Sequence, residues 1–320
     1  MIKKVQPPNK IKICSFHPGG TETVYALGLG RNLVGVSHAC DYPPEVRRKP
    51  RITTCAIDKE KMTSREIADT VSDLLGKGQS LRCVDTSLLT ELQPDVLISH
   101  DCCYPGLPLE KPSEAPLSSD KVKFLSLSPR SLENIFENIR LIGEATDSIE
   151  SAQKLVYQLR MRATAVQCKT FFKKQKPKVL VLDWLDPISL AGRWIPEMVE
   201  IAGGISLDGL EGNDSRPTDW GRIAEFNPDV LLYAPYGYHL RQALKNVPVI
   251  PEAVMQQPFN ALKNRAVYAV DAASYLSRPG PRLIDGIELI AHILHPDICR
   301  WDGPSNAFSH VVFPGDKKQK

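Results

Sequence analysis

One heptapeptide pattern occurs twice in this sequence: Glu91-Leu92-Gln93-Pro94-Asp95-Val96-Leu97 is matched by Glu225-Phe226-Asn227-Pro228-Asp229-Val230-Leu231. In each copy the proline ends a helix and opens a strand, because it can neither continue the helix nor donate to a ladder. A second pair follows the same order. Lys12–Phe16, a loop and Glu22-x-Val24-x-x-x-Gly28 correspond to Val179–Asp183, a loop and Glu197-x-Val199-x-x-x-Gly203. Two matches in one order predict a duplicated α/β architecture, two similar lobes whose sheets are mostly parallel. In such sheets ligands collect beyond the carboxyl ends of the strands.

Between the halves the periodicity changes. Leu132, Ile135, Phe136, Ile139 and Ile142 recur at three and four residues, and after Gly143 the pattern resumes with Ile149, Ala152, Leu155, Val156 and Leu159. The spacing predicts a long backbone helix, interrupted once near Gly143, joining the lobes. The predicted organisation is an N-terminal lobe over 1–130, the helix over 131–172, a C-terminal lobe over 173–300 and a tail over 301–320. Predicted strands are Lys10–Phe16, Leu33–Ser37, Val96–Ser99, Val122–Leu127, Lys178–Leu182, Val230–Tyr233 and Ala266–Val270. Helices are expected at Thr21–Gly28, with Thr21 as its cap and Glu22 in its first turn, and at Ile195–Ile201 and Arg282–Leu294. The stretch from the Asp41-Tyr42-Pro43-Pro44 corner to about residue 82 reads as polar connection, and Tyr104–Lys121 as a surface loop.

Composition removes several classes of function. A net charge of +3 is too small for a surface that tracks phosphates, so no nucleic-acid partner is expected. No apolar run reaches the ~20 residues that span a bilayer, so no membrane insertion is expected. The first ten residues are basic but lack an apolar core, which predicts a cytoplasmic protein. Eight cysteines without a C-x-x-C pattern read as reduced, mostly buried thiols. The 26 prolines are spread along the chain, and several fix corners and strand starts, as a rigid scaffold around a ligand requires.

The stretch Ser15–Gly28, followed by Leu33-Val34-Gly35-Val36-Ser37 and Cys40-Asp41-Tyr42-Pro43-Pro44, resembles the opening of the periplasmic substrate-binding family for cobalamin and ferric siderophores. The resemblance extends from about residue 10 to 296. The segments Ala191–Gly204 and Ser277–Gly286 are similar to its cobalamin-binding branch. It implies two lobes on a helical backbone, with cobalamin or another tetrapyrrole or metal chelate held between them. Transporter-type members dock a permease through one glutamate on each lobe; here Glu22 and Glu197 read as cleft or helix-dipole residues. The lack of a signal argues against a permease partner. Positions that carry stacking aromatics in cobalamin binders fall near Cys55 and Ser215, so Trp184, Trp194, Trp220, Tyr236, Tyr238 and Tyr275 are the alternatives.

The candidate ligand-binding residues are Thr21, Glu22, His38, Asp41, Tyr42, His100, Trp184, Asp186, Arg193, Trp194, Glu197, Trp220, Tyr236, Tyr275 and Arg278. Arg193-Trp194 places a cation beside an indole at a helix start, suited to an anionic or aromatic group; stapling of the helix to its sheet is the plain alternative. Arg278 either reaches the ligand or, with Arg282, pairs with Asp271 or Asp285. Gly19-Gly20 either offers backbone N–H groups or makes a tight turn. His100-Asp101-Cys102-Cys103, with His17 and His38, is the best metal candidate. Adjacent cysteines on a strand face opposite ways, however, and buried thiols are favoured. Binding is favoured over the alternative of an enzyme using Glu22, Asp41, Asp186 or Glu197 for acid–base chemistry.

Overall fold

The chain divides into two units, and the division cuts through three helices. The computed structural model describes residues 11–58, 60–100, 122–247, 250–256 and 258–312. The first unit holds the chain to Asp58, Thr70–Pro129 and Glu133–Gln158; the second holds Lys59–Asp69, Arg130–Leu132 and everything from Leu159.

In chain order the first unit begins with β1 (Ile13–Ser15), α1 (Pro18–Ala26), β2 (Leu33–Val36) and β3 (Thr53–Cys55). These are followed by α2 (Ser64–Gly76), whose residues up to Asp69 belong to the second unit, β4 (Arg82–Val84), α3 (Thr86–Leu92), β5 (Val96–His100) and β6 (Lys123–Leu127). Four strands form one parallel sheet in the order β2-β1-β5-β6. The central β1 and β5 are buried along their whole lengths, which is why they read as unbroken apolar runs. Cys14, Phe16, Ile52, Leu89 and Leu97 make the core of this unit. Helix α1 lies tight on the sheet: a Cβ on Gly20 would come within 2.7 Å of the Ile98 side chain. Gly20 therefore serves close packing.

Two expectations for this unit are corrected. Helix α1 starts at Pro18, and its cap is His17, whose Nδ1 accepts the N–H of Gly19 at 3.0 Å. Proline suits that first position because its missing N–H would be unpaired in any case. Thr21 is thus buried one turn inside, its Oγ1 3.1 Å from Cys40 Sγ, and Glu22 lies beyond the first turn. The supposed polar connection contains α2 and the antiparallel β3–β4 pair. Thr63 and Glu66 form a reciprocal capping box before α2: Glu66 Oε2 accepts the Thr63 N–H at 2.7 Å, and Thr63 Oγ1 accepts the Glu66 N–H at 3.2 Å.

Two helices follow, α4 (Leu132–Ala145) and α5 (Ile149–Phe171). The break comes at Thr146–Ser148, not at Gly143. Asp147 takes φ +53°, and Thr146 Oγ1 donates to the Ile142 carbonyl at 2.7 Å. Gly143 remains helical because α5 passes over it; a Cβ there would meet that of Ala152 at 2.4 Å.

The second unit continues with β7 (Val179–Leu185), β8 (Ile188–Leu190), α6 (Ile195–Ile201), β9 (Arg216–Pro217), α7 (Trp220–Phe226) and β10 (Val230–Tyr233). It closes with α8 (Leu240–Lys245), α9 (Glu252–Gln256), α10 (Asn260–Lys263), β11 (Val267–Val270), α11 (Ala272–Tyr275), α12 (Leu283–Leu294) and β12 (Phe308–His310). Its sheet runs β12-β11-β10-β7-β8-β9, parallel at β11-β10-β7 and antiparallel at both edges. Strand β7 is longer than its sequence pattern implies. It continues to Leu185, turns at Asp186-Pro187 and returns as β8, so Trp184 lies in a hairpin. Residues after 300, expected to be a tail, include β12, which pairs with β11 through Tyr268↔His310 and Val270↔Phe308.

The duplicated motif behaves alike in both units. Gln93 and Asn227 close α3 and α7 in left-handed conformations, φ 48° and 51°, and Pro94 and Pro228 then lead into β5 and β10.

Candidate functional site

In each unit part of the candidate set lies at the carboxyl ends of the parallel strands. In the first unit β1 ends beside β5, and the rings of His17 and His100 stack at 4.4 Å with 24° between their planes. Both are buried, as are Thr21 and Glu22. Arg82, also buried, donates from Nη1 to the Phe16 carbonyl at 3.3 Å. At the end of β2, His38 is exposed, with Nδ1 2.8 Å from Thr53 Oγ1. Arg51 donates to the carbonyls of Ser37 and Cys40, at 2.8 and 2.6 Å, and so shapes the turn that presents Asp41 and the exposed Tyr42.

Among the described residues, these positions are not arranged as a metal centre. The two histidines lie face to face instead of converging, and His38 is engaged with Thr53. Asp101, Cys102 and Cys103 lie outside the described residues. Among the described residues no three His, Cys, Asp or Glu side chains are grouped to hold an ion. The thiols are less uniformly buried than expected: Cys14, Cys40 and Cys299 are buried, whereas Cys83 and Cys168 are exposed. Burial pushes the Cys14 thiol up to about 12.

In the second unit the ends of β7 and β10 bring an aromatic group together. Trp184 meets Tyr238 edge to face at 5.7 Å, and its Nε1 donates to the carbonyls of Asp186 and Ser64, at 3.1 and 3.2 Å. Tyr236 follows β10 and is tied to β7 by its N–H, which donates to the Asp183 carbonyl at 2.8 Å. Asp186, half exposed at the hairpin tip, pairs with Arg65. Ser277 Oγ accepts the Gly237 N–H at 3.0 Å, anchoring the turn from behind, with Arg278 buried next in sequence.

Asp183 carries the most perturbed carboxyl at this end. Ser215 Oγ donates to its Oδ2, while Oδ1 is sealed from solvent without a hydrogen-bond partner. Burial raises the carboxyl to about 6, against the hydrogen bonds from Ser215 and Ser189 that pull it down. A charged residue closing the apolar run Val179-Leu180-Val181-Leu182 was the available signal for it. His239 Nδ1, 3.0 Å from Asp271 Oδ1, is a second feature that motif reading did not single out. Its signal is the aspartate that directly follows β11.

Several candidates are committed elsewhere. Trp194 is 3% exposed, and its Nε1 donates to the Leu276 carbonyl at 2.9 Å. The expected ligand contact is corrected here: the indole staples α6 to the chain before α12. Arg193, at φ +54°, grips Asp214 at 2.7 Å, and its backbone bonds the 211–213 turn. Gly192 permits that approach, since a Cβ would fall 2.2 Å from the Asn213 carbonyl oxygen. Glu197 Oε2 accepts the N–H of Leu132 at the start of α4, at 2.9 Å. It also borders a groove of about 590 Å³ with Lys176 and Glu200. The Glu200 carboxyl is raised by burial and by Glu211, Glu197 and Asp208. Trp220 opens α7 and packs on the core of the unit; Tyr275 is buried edge-on against Trp301.

A sequence model described as periplasmic binding protein matches residues 13–273. The chain belongs to the periplasmic binding protein family. An ABC transporter substrate-binding lipoprotein of Bacillus subtilis is 25% identical over 300 residues, covering 89% of this chain and 80% of that protein. A vitamin B12-binding protein of Vibrio cholerae is 22% identical over 287 residues, 88% of each chain. Among solved structures, the periplasmic vitamin B12 binding protein of Vibrio cholerae superposes with a TM-score of 0.66 at 21% identity, over 90% of this chain and 97% of that one. The periplasmic heme-binding protein RhuT of Roseiflexus sp. RS-1 gives 0.65 at 22% identity, over 90% and 98%. These likenesses show the fold.

The relatives overturn two expectations. A cytoplasmic location and the absence of a permease partner both rested on the first ten residues, which lack an apolar core. The Bacillus relative is a transporter lipoprotein, and the solved relatives are periplasmic. Neither expectation stands. Among the described residues, no helix is long and apolar enough to cross a membrane.

Proposed function

We propose that the protein is the extracytoplasmic ligand-binding component of an ABC transporter, working with a membrane permease, and that its ligand is a planar metal chelate of the cobalamin or heme class. The observation that carries the ligand class is the aromatic group at the carboxyl end of the second unit's sheet: the partly exposed Trp184 and Tyr236, with the buried Tyr238 backing the Trp184 ring. A large flat ligand gains from aromatic faces and edges more than from charge, and such contacts add about 1 kcal/mol each beyond burial. Asp186 and Arg65, partly exposed beside them, offer an acceptor and a donor to peripheral amide or carboxylate arms. In the first unit taken by itself, the exposed His38 and Tyr42 and the partly exposed Asp41 are the proposed ligand contacts, whereas Thr21, Glu22 and His100 are buried. Named relatives that bind vitamin B12 and heme support the same class.

The test is a visible-absorbance titration with cyanocobalamin and with hemin. Saturable binding of one at micromolar or tighter affinity is expected, and Trp184→Ala should weaken it about tenfold while leaving the melting temperature near that of the parent. Failure of both chelates to perturb the spectrum or the melting temperature would sink the ligand assignment.

Catalysis, the second reading, draws on one observation, the contact between His239 and Asp271. Mass spectrometry of a bound chelate after prolonged incubation decides it: a ligand recovered unchanged leaves binding as the function.

A further inference from the structure

Helix α5 is apolar on two opposite faces. One face, Ala152, Val156, Leu159, Ala163 and Val166, is spaced at threes and fours and is buried. The other carries Tyr157, Met161 and Cys168, spaced by four and seven so that they share one outward stripe, with Phe171 ending the helix and Phe172 following it. The stripe is bare: Tyr157 is 65% exposed, Met161 51%, Phe171 67% and Phe172 84%. The two phenylalanine rings meet edge to face at 5.1 Å at the carboxyl end of the helix.

Charge is sorted around the same stripe. From Ser151 to Leu182 the sequence contains no aspartate or glutamate, yet it carries Lys154, Arg160, Arg162, Lys169, Lys173, Lys174, Lys176 and Lys178. In a chain whose net charge is +3, that is a strong local excess. Arg162 is neutralised by Asp285 and Glu288, and Lys173 by Asp297. Lys154, Lys169 and Lys174 make no ion pair among the described residues. A basic helix with an outward aromatic stripe has the chemistry of an interfacial membrane helix.

We propose that this face of α5, with the lysines that follow it, docks on the surface of an anionic lipid bilayer, Phe171 and Phe172 entering the headgroup layer. Charge complementarity selects this occupant. Two copies of the chain would bring two faces with an excess of lysine together, and like charges oppose that. A nucleic acid would meet the lysines but leave the Tyr157–Met161 end of the stripe without an apolar partner. Lipid satisfies both, since each lysine near an anionic surface contributes about 1 kcal/mol and the rings gain from the interface.

The experiment is flotation of the whole protein, under reductant, with phosphatidylcholine vesicles and with vesicles containing one-third phosphatidylglycerol. Association only with the anionic vesicles is expected, falling steeply as salt shortens the screening length. Phe171→Ser/Phe172→Ser and Lys169→Gln/Lys174→Gln should each weaken it at least about tenfold. Unchanged melting temperatures establish that both variants are folded. Equal binding to both vesicle types, no flotation at all, or undiminished binding by the phenylalanine variant overturns the proposal. So does a vesicle-free dimer in sedimentation velocity that the same phenylalanine substitutions abolish, or binding of a single-stranded oligonucleotide in the absence of flotation.

Discussion

The carboxylate of Asp95 accepts the backbone N–H of Lys12 at 2.7 Å, one residue pair ahead of the β1–β5 ladder. The Asp95 N–H donates back to the Lys12 carbonyl at 2.8 Å. Asp229 and Lys178 repeat this in the second unit, at 2.9 and 2.8 Å. Even the lysine ammonium groups act alike, reaching the carbonyls of Leu92 and Phe226 at 3.3 Å. The duplicated Pro-Asp thus clamps the start of each unit's central strand.

Asp95→Ala and Asp229→Ala should each cost about 1–2 kcal/mol, because each leaves a strand-end N–H without its charged acceptor. Lys12→Ala should cost well under half as much, since the bond uses the lysine backbone. Urea midpoints of the three variants measure the difference, and a larger loss for Lys12→Ala would contradict the clamp.

Asp183 makes stability depend on pH. Its carboxyl is raised by burial from 3.8 to about 6 in the folded protein. Between those values the native state keeps a proton that the unfolded chain has released. The associated stability is complete below about pH 4 and is lost as pH rises through about 6, a total of about 3 kcal/mol. Asp183→Asn should flatten this slope and be more stable than the parent at about pH 8. Chemical denaturation across the window reads both effects.

Trp184 and Trp194, both in the second unit, should separate cleanly. Trp194→Phe strands the buried Leu276 carbonyl and should cost about 1–3 kcal/mol, and Trp194→Ala about 3–5 kcal/mol. Trp184→Phe, at a partly exposed hairpin, should cost less than about 1 kcal/mol. Thermal melts of the three proteins in parallel test the order.

Much of the architecture was legible because buried parallel strands leave continuous apolar runs. β5, β10 and β11 could be found by that pattern and by the Pro-Asp starts. Strands β8, β9 and β12 are two or three residues long and owe their extension to the neighbour each pairs with, so no periodicity announces them. Helix α2 did carry a signal, Thr63-x-x-Glu66, masked by the polar residues around it. Tyr236 was placed by one rule, that strand ends present side chains, whereas Trp184 lies within β7, just before its turn. Trp194 was not placed by it, because packing decides whether an indole at a helix start turns inward. Arg193 likewise found its partner across a turn, in Asp214, which local spacing cannot show.

Gly286 tests how closely α12 packs. A Cβ there would fall 2.1 Å from the Tyr275 carbonyl oxygen, a backbone atom that has little room to move. Gly286→Ala should cost about 2–3 kcal/mol despite alanine's better helix propensity. Gly76→Ala, with nothing within 4 Å, should be neutral or slightly stabilising. Paired denaturation curves decide between packing and propensity.

Strand β12 covers the outer side of β11, its Phe308 packed against Tyr268 and His292. Without it, the N–H and C=O groups of Val267–Val270 would face water as an open row on an apolar strand. Such a row is a template for another chain. The last described residues therefore guard solubility: a protein cut before Phe308 would keep its parallel strands and lose its protection against self-association.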